Sequence, residues 1–306
     1  MSTKILVSDS IHEDGLEKLM KAGYKLDIKT TITPDELVKT ASNYDAILLR
    51  SRTKITKEVL EAATNLKIVA RAGVGLDNID LKTAKEKDIK VVNSPEAPTN
   101  SVAELVVGCM FNLARRITIA DAGMKNGEWL KKELTGIELS GKTLGIIGFG
   151  RIGYMVAEKA KALGLNVKVF DVSIDSRMQY VEALGVEAVS LGELISSSDF
   201  ITVHVPLLPT TRNMINREQI TLMKKGAYLI NTARGGIINE EALAEALKSG
   251  KLGGAALDVF VEEPPKETSL TGITNLICTP HLGASTIEAK RANSIIIADK
   301  LINFFS

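Results

Sequence analysis

Short runs of aliphatic and β-branched residues alternate with helical patterns along the whole chain of 306 residues. Such an alternation is typical of parallel strands joined by helices that cover both faces of a sheet. The first part of the chain has predicted strands at Lys4–Ser8, Lys25–Lys29, Ala46–Leu49, Lys67–Ala70 and Lys90–Val92. The helices predicted between them are Glu13–Ala22, Pro34–Ser42, Lys57–Ala63 and Leu81–Lys87. This series is long enough to form one α/β domain.

The segment Asn93–Asn100 contains two prolines and several turn-forming residues, a composition typical of a crossover or hinge. A long, mostly apolar helix is predicted after it, from Ser101 to about Ala120. A second series of strands follows, at Thr143–Ile147, Asn166–Phe170, Glu187–Val189, Phe200–His204, Ala227–Asn231, Ala255–Asp258 and Leu276–Cys278. Its clearest helices are Tyr154–Leu163, Glu240–Lys248 and Ser285–Phe305. We therefore predict two α/β domains, each built on a doubly wound parallel sheet.

A glycine pattern of the form GxGxxG, from Gly148 to Gly153, lies between the first strand and the first helix of the second series. Gly148 allows a tight turn, Gly150 lets backbone amides approach a pyrophosphate, and Gly153 lets the helix pack closely on the strand. Asp171 ends the next strand, about 20 residues further on, where a carboxylate can accept the hydroxyls of an adenosine ribose. The pattern predicts a dinucleotide site that prefers NAD to NADP. Arg177 is the one reservation, because an arginine near the ribose can bind the 2′-phosphate of NADP.

Three chemically useful side chains follow successive strands of the second series: Arg234, Glu263 and His281. Loops that follow parallel strands meet at one edge of the sheet, where ligands of such sheets bind. A guanidinium can hold a carboxylate, and an imidazole can take a hydroxyl proton while hydride leaves for a nicotinamide. A neighbouring carboxylate holds the imidazole tautomer. These groups predict the oxidation of a 2-hydroxy acid.

Other interpretations stay open from the residues alone. Arg234 could be a surface or interface arginine, Glu263 a solvated loop acid, and His281 a structural histidine. His204 ends a strand at the same edge and competes with His281, although Pro206 behind it favours a loop that lines the cofactor.

The composition excludes several classes of protein. Lys and Arg total 38 and Asp and Glu total 37, a net charge of +1, which argues against binding nucleic acid or a membrane surface. No apolar run approaches the roughly 20 residues that cross a bilayer, and the N-terminus does not resemble a secretion signal. Two cysteines and three histidines predict neither a disulfide framework nor a metal site. We expect a cytoplasmic protein without metal.

Five segments carry a family resemblance: GIIGFGRIG, FITVHVPLLPTTRNMI, LINTARGGIINEEAL, GAALDVFVEEPP and TPHLGAST. In order and spacing they resemble the D-isomer-specific 2-hydroxyacid dehydrogenases over nearly the whole chain. The resemblance implies a Rossmann NAD-binding domain at residues 96–285. It also implies a flavodoxin-like substrate domain made of residues 1–95 and 286–306, with two hinge crossings that allow closure on the substrate.

The resemblance also implies individual roles. Arg234 binds and polarises the substrate, His281 exchanges the proton, and Glu263 supports His281. The implied cofactor-binding residues are Gly148, Gly150, Arg151, Ile152, Gly153, Asp171, His204, Val205, Pro206, Thr232, Ala233, Arg234, Asp258, His281, Gly283 and Ala284. The implied substrate-binding residues are Arg50, Ser51, Arg71, Gly73, Val74, Asn100 and Arg234, with Arg52 as a further arginine nearby. Val74 stands where many family members have a polar residue, so its contact can only be through the main chain.

Within the family, the motifs are most similar to those of members that oxidise D-3-phosphoglycerate with NAD, the start of the phosphorylated route to serine. The alternatives are a reductase of glyoxylate or hydroxypyruvate and, more remotely, a non-catalytic protein that senses NAD. The family implies a homodimer built on the 101–120 helix, although that helix could instead be buried between the domains. Longer relatives append a serine-binding domain, and because this sequence stops at Ser306 we expect no serine feedback by that route.

Overall fold

The protein was examined as a computed structural model that describes residues 3–97, 99–266 and 268–306. The strands are β1 Lys4–Val7, β2 Lys25–Ile28, β3 Ala46–Leu49, β4 Ile68–Arg71, β5 Lys90–Asn93, β6 Thr143–Ile147, β7 Asn166–Phe170, β8 Glu187–Ala188, β9 Phe200–Val203, β10 Ala227–Asn231, β11 Leu252–Leu257 and β12 Leu276–Cys278. The helices are α1 Glu13–Lys21, α2 Pro34–Thr40, α3 Lys57–Ala62, α4 Leu81–Glu86, α5 Thr99–Arg115, α6 Ile117–Lys125, α7 Arg151–Ala162, α8 Met178–Leu184, α9 Leu191–Ser197, α10 Arg217–Leu222, α11 Glu240–Lys248 and α12 Ile287–Phe305. Short 3₁₀ turns lie at Ala41–Asn43 and Ile174–Arg177.

The chain divides into two compact units. Unit 1 comprises Met1–Ser101 and Ala284–Ser306, and unit 2 comprises Val102–Gly283. Of the predicted hinge segment, Pro98 lies outside the described residues.

Unit 1 is a parallel sheet of five strands in the order β2-β1-β3-β4-β5. This is the flavodoxin-like order, in which the chain reverses its direction of growth between β1 and β3. Alternate residues of β1 point to opposite faces, so Ile5 and Val7 pack with α1 and α12, whereas Leu6 packs with α2, α3 and α4. The last helix of the sequence is therefore part of the core of unit 1.

Unit 2 is a parallel sheet of seven strands in the order β12-β11-β10-β9-β6-β7-β8. Counted from β6, the order 3-2-1-4-5-6 is that of a Rossmann fold, with β12 added beside β11. One face packs against α9, α10 and α11 through residues such as Leu194, Ile220 and Leu243. The other face packs against α5 and α7 through residues such as Val106 and Val156. The prediction of two doubly wound parallel sheets is confirmed.

The hydrophobic pattern predicted one helix from Ser101 to about Ala120. The structure has two helices there, α5 and α6. Arg116 adopts a left-handed backbone with φ of 53° and separates α5 from α6. The Arg116 guanidinium donates to the carbonyl of Glu133, and the Asn112 side chain accepts the backbone N–H of Thr118. These tertiary bonds stabilise the break, which hydrophobic periodicity does not show. No helix among the described residues is long and apolar enough to cross a bilayer.

The contact between α1 and α12 generates a stability prediction. A Cβ on Gly15 would collide with the main chain of Ser294, because the two helices cross closely there. Replacing a helical glycine by alanine normally stabilises by up to about 1 kcal/mol. For Gly15→Ala we expect instead a loss of about 1–3 kcal/mol from overpacking, measured by urea unfolding. Gly192→Ala, whose new Cβ in α9 meets nothing within 4 Å, is the control and should not destabilise. A higher free energy of unfolding for Gly15→Ala would show that α1 and α12 leave room for a methyl group where they cross.

Candidate active site

The glycine-rich turn connects β6 to α7 at the carboxyl edge of the larger sheet. Gly148 has a φ of 96°, and a Cβ there would lie 2.6 Å from the carbonyl oxygen of His204. A Cβ on Gly153 would collide with the carbonyl of Gly148, so both positions require glycine. Gly150 caps α7 without a side-chain hydrogen bond, which leaves the first backbone N–H groups of the helix, at Arg151 and Ile152, free for an anion. The turn fits the pyrophosphate of a dinucleotide.

Asp171 lies beside this turn, directly after β7. Its Oδ2 accepts the backbone N–H of Phe149 at 2.9 Å, and its Oδ1 accepts that of Ser173 at 2.8 Å. Arg177 also reaches the turn, because its Nη1 donates to the carbonyl of Phe149 at 2.6 Å and its Nε lies 4.0 Å from Asp171 Oδ1. That Nε is buried and has no hydrogen-bond partner among the described residues. A carboxylate and a guanidinium therefore stand together where the sequence predicts the adenosine ribose.

His204 follows β9, and its backbone N–H donates to the carbonyl of Ile147 at 2.7 Å beside the glycine-rich turn. Its Nε2 lies 3.0 Å from the hydroxyl of Thr202, and its buried Nδ1 has no hydrogen-bond partner within residues 3–97, 99–266 and 268–306. Burial lowers the pKa of His204 to about 3, so the imidazole is neutral at physiological pH. A neutral, enclosed ring is a poor proton donor, which favours the loop-lining interpretation of His204 with Val205 and Pro206.

The loop after β10 is shaped by Asn231. The Asn231 side chain accepts the backbone N–H of Ala233 at 2.9 Å and donates to the carbonyl of Arg234 at 2.8 Å. The hydroxyl of Thr232 is buried and has no hydrogen-bond partner in the described part of the chain. The next residue, Gly235, packs so closely on the main chain of Phe260 that a Cβ there would collide with it. The arginine loop is thus pressed against the loop that follows β11.

Glu263 and His281 form a hydrogen-bonded pair. His281 Nδ1 lies 2.7 Å from Glu263 Oε2, and Glu263 Oε1 accepts the backbone N–H of Phe260 at 3.1 Å. The carboxylate is held by the loop after β11 while the imidazole comes from the loop after β12. Because Nδ1 is engaged, Nε2 is the ring atom that can exchange a proton with a ligand. The two side chains are 37% and 48% exposed, so this nitrogen is accessible.

A buried carboxylate, Asp258, fixes the loop that carries His281. Its Oδ1 accepts hydrogen bonds from the Thr279 hydroxyl and the Leu282 N–H, both at 2.6 Å, and its Oδ2 accepts the Gly283 N–H at 2.8 Å. The Asp258 carbonyl also accepts the His281 N–H at 2.9 Å. These bonds hold His281 in the left-handed region, at a φ of 53°, which costs a non-glycine residue about 1 kcal/mol or more.

The family resemblance implied that Asp258 binds the cofactor. The structure shows in addition that Asp258 holds the loop of His281 by hydrogen bonds. Thr279 and Asn231 hold the loops of candidate site residues, and sequence reasoning missed both. The available signal was their place, since a polar side chain at the carboxyl end of a strand is positioned to hold the adjoining loops. Ala284, the last residue of the cofactor set, begins the return of the chain to unit 1.

In unit 1 the expected substrate residues lie at the carboxyl edge of the smaller sheet. Arg50 follows β3, and its carbonyl accepts a hydrogen bond from Nε of Arg71, the last residue of β4, at 3.2 Å. Gly73 donates its N–H to the Ser94 hydroxyl, and the carbonyl of Val74 accepts from the side chain of Asn93. Ser51 is exposed beside Arg50, and Asn100 lies in the first turn of α5.

Arg52 does not belong with these residues. Its guanidinium donates to Asp9 at 3.1 Å, to the carbonyl of Ile32 at 3.1 Å and to the carbonyl of Ser8 at 2.5 Å. The donors of Arg52 are thus engaged within unit 1, and its part in binding an acidic substrate stays a prediction.

Neither cysteine is an activated thiol. Burial raises the pKa of the Cys109 thiol to about 11, helped by the charge of Asp258, and burial also raises the pKa of Cys278. Among the described residues, no three His, Cys, Asp or Glu side chains are grouped to hold a metal ion.

Known proteins provide independent comparisons. Residues 107–283 match the family described as D-isomer specific 2-hydroxyacid dehydrogenase, NAD binding domain. A D-3-phosphoglycerate dehydrogenase from Methanocaldococcus jannaschii is 51% identical over 299 residues, which are 97% of this chain and 56% of that relative. The chain thus spans about half the length of this relative. A hydroxypyruvate reductase from Thermotoga maritima is 46% identical over 304 residues, 97% of each protein.

A solved structure has the same fold. The NAD-dependent formate dehydrogenase from Staphylococcus aureus, in complex with NAD, is similar with a TM-score of 0.86 and 34% identity, over 99% of this chain and 96% of that chain.

The pairing of Asp171 with Arg177 predicts a change in cofactor preference. Asp171→Ser should weaken NAD binding by about 10- to 100-fold, the worth of hydrogen bonds to a charged group. It should also improve NADP binding, because the guanidinium is already in place for a 2′-phosphate. Adding Arg177→Met should abolish that gain, and Asp175→Ser, an exposed acid of the neighbouring 3₁₀ turn, should change neither affinity. Binding is measured by fluorescence titration of the reduced cofactors. Unchanged NAD affinity in Asp171→Ser would contradict the ribose assignment.

The Asp258 bonds predict that Thr279 affects the rate more than cofactor binding. Thr279→Val keeps the shape but removes one bond to Asp258, so the backbone of His281 is held less firmly. We expect kcat to fall by about 10- to 100-fold, as small misplacements of reacting groups do, with little change in NADH affinity. Thr279→Ser retains the hydroxyl and should keep most of the activity. Equal activities of the two variants would show that this bond does not position His281.

Proposed function

The chain belongs to the D-isomer specific 2-hydroxyacid dehydrogenases, and we propose that it oxidises D-3-phosphoglycerate to 3-phosphohydroxypyruvate with NAD. The observation that carries the proposal is the Glu263–His281 pair at the carboxyl edge of the sheet whose glycine-rich turn fits a dinucleotide. The choice of substrate is supported by the Methanocaldococcus jannaschii relative, which is named a D-3-phosphoglycerate dehydrogenase. Oxidation of D-3-phosphoglycerate is the first step of the phosphorylated route to serine.

The side chains supply every proton and charge function of this reaction. Arg234 holds the substrate carboxylate as a planar fork and polarises the carbon that reacts. His281 Nε2 accepts the hydroxyl proton, and Glu263 stabilises the imidazolium that forms. The residues Gly148, Gly150, Arg151, Ile152, Gly153 and Asp171 would hold NAD, which supplies the hydride acceptor when bound. In the reverse direction, His281 returns the proton to the carbonyl oxygen.

A second candidate is the reduction of hydroxypyruvate. The Thermotoga maritima relative that bears this name matches the present chain over nearly its full length, and the same acid–base pair serves both reactions. The discriminating feature is the positive charge on unit 1, where Arg50 and Arg71 stand at the carboxyl edge of the sheet. These arginines favour the phosphorylated substrate.

We also propose that the protein forms a homodimer through the region of α5 and α6. Four large apolar side chains of this region are exposed: Phe111, Ile117, Met124 and Trp129. Such a concentration is more than a monomer usually presents to water.

A substrate panel tests the proposal. We expect kcat/KM with NAD and D-3-phosphoglycerate to exceed, by at least about tenfold, that for D-glycerate. In the direction of reduction, kcat/KM with NADH should be higher for 3-phosphohydroxypyruvate than for hydroxypyruvate or glyoxylate. The reference variant is His281→Asn, since Asn tolerates the left-handed backbone. It should lose about 10²- to 10⁴-fold in kcat while NADH still binds. Glu262→Gln, an exposed neighbour of Glu263, should be unaffected. A preference for hydroxypyruvate would favour the second candidate.

A further inference from the structure

Unit 1 contains a cavity of about 270 Å³ at the carboxyl edge of its sheet, lined by Ser10, Ile11, His12, Arg50, Ala72, Lys290 and Ser294. The loops after β1, β3 and β4 form one side of it, and α12 forms the other. In a sheet of this order, the chain changes direction between β1 and β3, and ligands of such sheets bind at this point. The position of the cavity therefore suggests a binding site.

Arg50 brings to this cavity a positive charge that Asp9 attracts without forming an ion pair. Its guanidinium is half-buried and has no ion pair or hydrogen bond within residues 3–97, 99–266 and 268–306. The carboxylate of the nearest acid, Asp9, accepts hydrogen bonds from the backbone N–H of Arg50, from the guanidinium of Arg52 and from the hydroxyl of Thr53. Burial lowers the pKa of Arg50, although a guanidinium still keeps its charge. A desolvated cation without a partner is costly, and an anionic ligand removes that cost.

Two further donors face the same space from α1 and α12. The Lys290 ammonium has no ion pair within the described part of the chain. His12 caps α1 by accepting the Asp14 N–H at its Nδ1, which leaves the proton of the neutral ring on Nε2. Asp14 is paired with Arg291, and its Oδ1 also lies 3.6 Å from His12 Nδ1. Among the described residues, the cavity thus collects two cations without an ion pair, the half-buried Arg50 and the exposed Lys290, and an imidazole donor.

We propose that this cavity binds the phosphoryl group of a phosphorylated 2-hydroxy acid, with Lys290 and His12 as specificity-determining residues beside Arg50; the inference rests on the proposed function. A phosphate monoester carries about −1.5 to −2 charges at pH 7, which the half-buried Arg50 and the exposed Lys290 match. A plain 2-hydroxy acid has no second anion to place there. Lys290 and His12 are far apart in sequence and carry none of the roles assigned from the motifs.

The first test measures specificity. Lys290→Met, which keeps the length but removes the charge, should lower the kcat/KM ratio of D-3-phosphoglycerate to D-glycerate by about 10- to 100-fold. The loss should lie in KM for the phosphorylated acid. Lys290→Arg should retain most of the preference. His12→Asn keeps a good helix cap and should lower the ratio by a smaller factor. Lys39→Met, an exposed lysine on α2, is the matched control and should leave the ratio unchanged. An unchanged ratio in Lys290→Met would overturn the proposal.

A second measurement separates this inference from the proposed function. Inorganic phosphate is titrated into the whole protein and followed by ³¹P NMR, which needs no turnover. If the wild type fails to oxidise D-3-phosphoglycerate, the proposed function fails. The subsite still stands if phosphate binds and Lys290→Met, unlike Lys39→Met, weakens that binding. Absence of binding, or equal binding by both variants, would overturn the subsite.

Discussion

The candidate chemistry of this protein depends on one buried carboxylate. Asp258 is 1% exposed and binds the Thr279 hydroxyl and two backbone N–H groups of the following residues. These hydrogen bonds stabilise the left-handed backbone of His281. In this conformation Nδ1 of the ring lies 2.7 Å from Glu263 Oε2. A charge in the interior is stabilised only when it is fully hydrogen-bonded, so the loop and the acid stabilise each other.

The same arrangement occurs at three places in the two sheets. Asp9 follows β1 and accepts hydrogen bonds from the loop after its neighbour β3, including the N–H of Arg50. Asp171 follows β7 and accepts from the turn after β6. Asp258 follows β11 and accepts from the loop after β12. Adjacent parallel strands end at the same edge, so an acid at the end of one strand reaches the loop of the next. Each acid thus fixes a loop that carries a candidate functional group.

The sequence predicted the two doubly wound sheets because strand periodicity and strand ends are local properties. The same reasoning predicted that the loops of Arg234, Glu263 and His281 share one edge, although the roles of these residues stay proposals. It could not separate Arg50 from Arg52, which lie in one loop and have identical chemistry. Only the tertiary hydrogen bonds of the Arg52 guanidinium distinguish the two side chains. The break at Arg116 was also unpredictable, because bonds to distant residues stabilise it.

Charge compensation connects the candidate site with the choice of substrate. A reductase of plain 2-oxo acids and a dehydrogenase of phosphorylated 2-hydroxy acids can share the glycine-rich turn, Arg234 and the Glu263–His281 pair, because these groups act on the part that both substrates have in common. The difference must therefore lie where the substrates differ. Arg50 is half-buried and unpaired within the described chain, and Lys290 faces the same cavity. A substrate with a single carboxylate would leave this charge unmatched, whereas a phosphoryl group would neutralise it. The charges of unit 1, more than the acid–base pair of unit 2, thus support the proposal of a phosphorylated substrate.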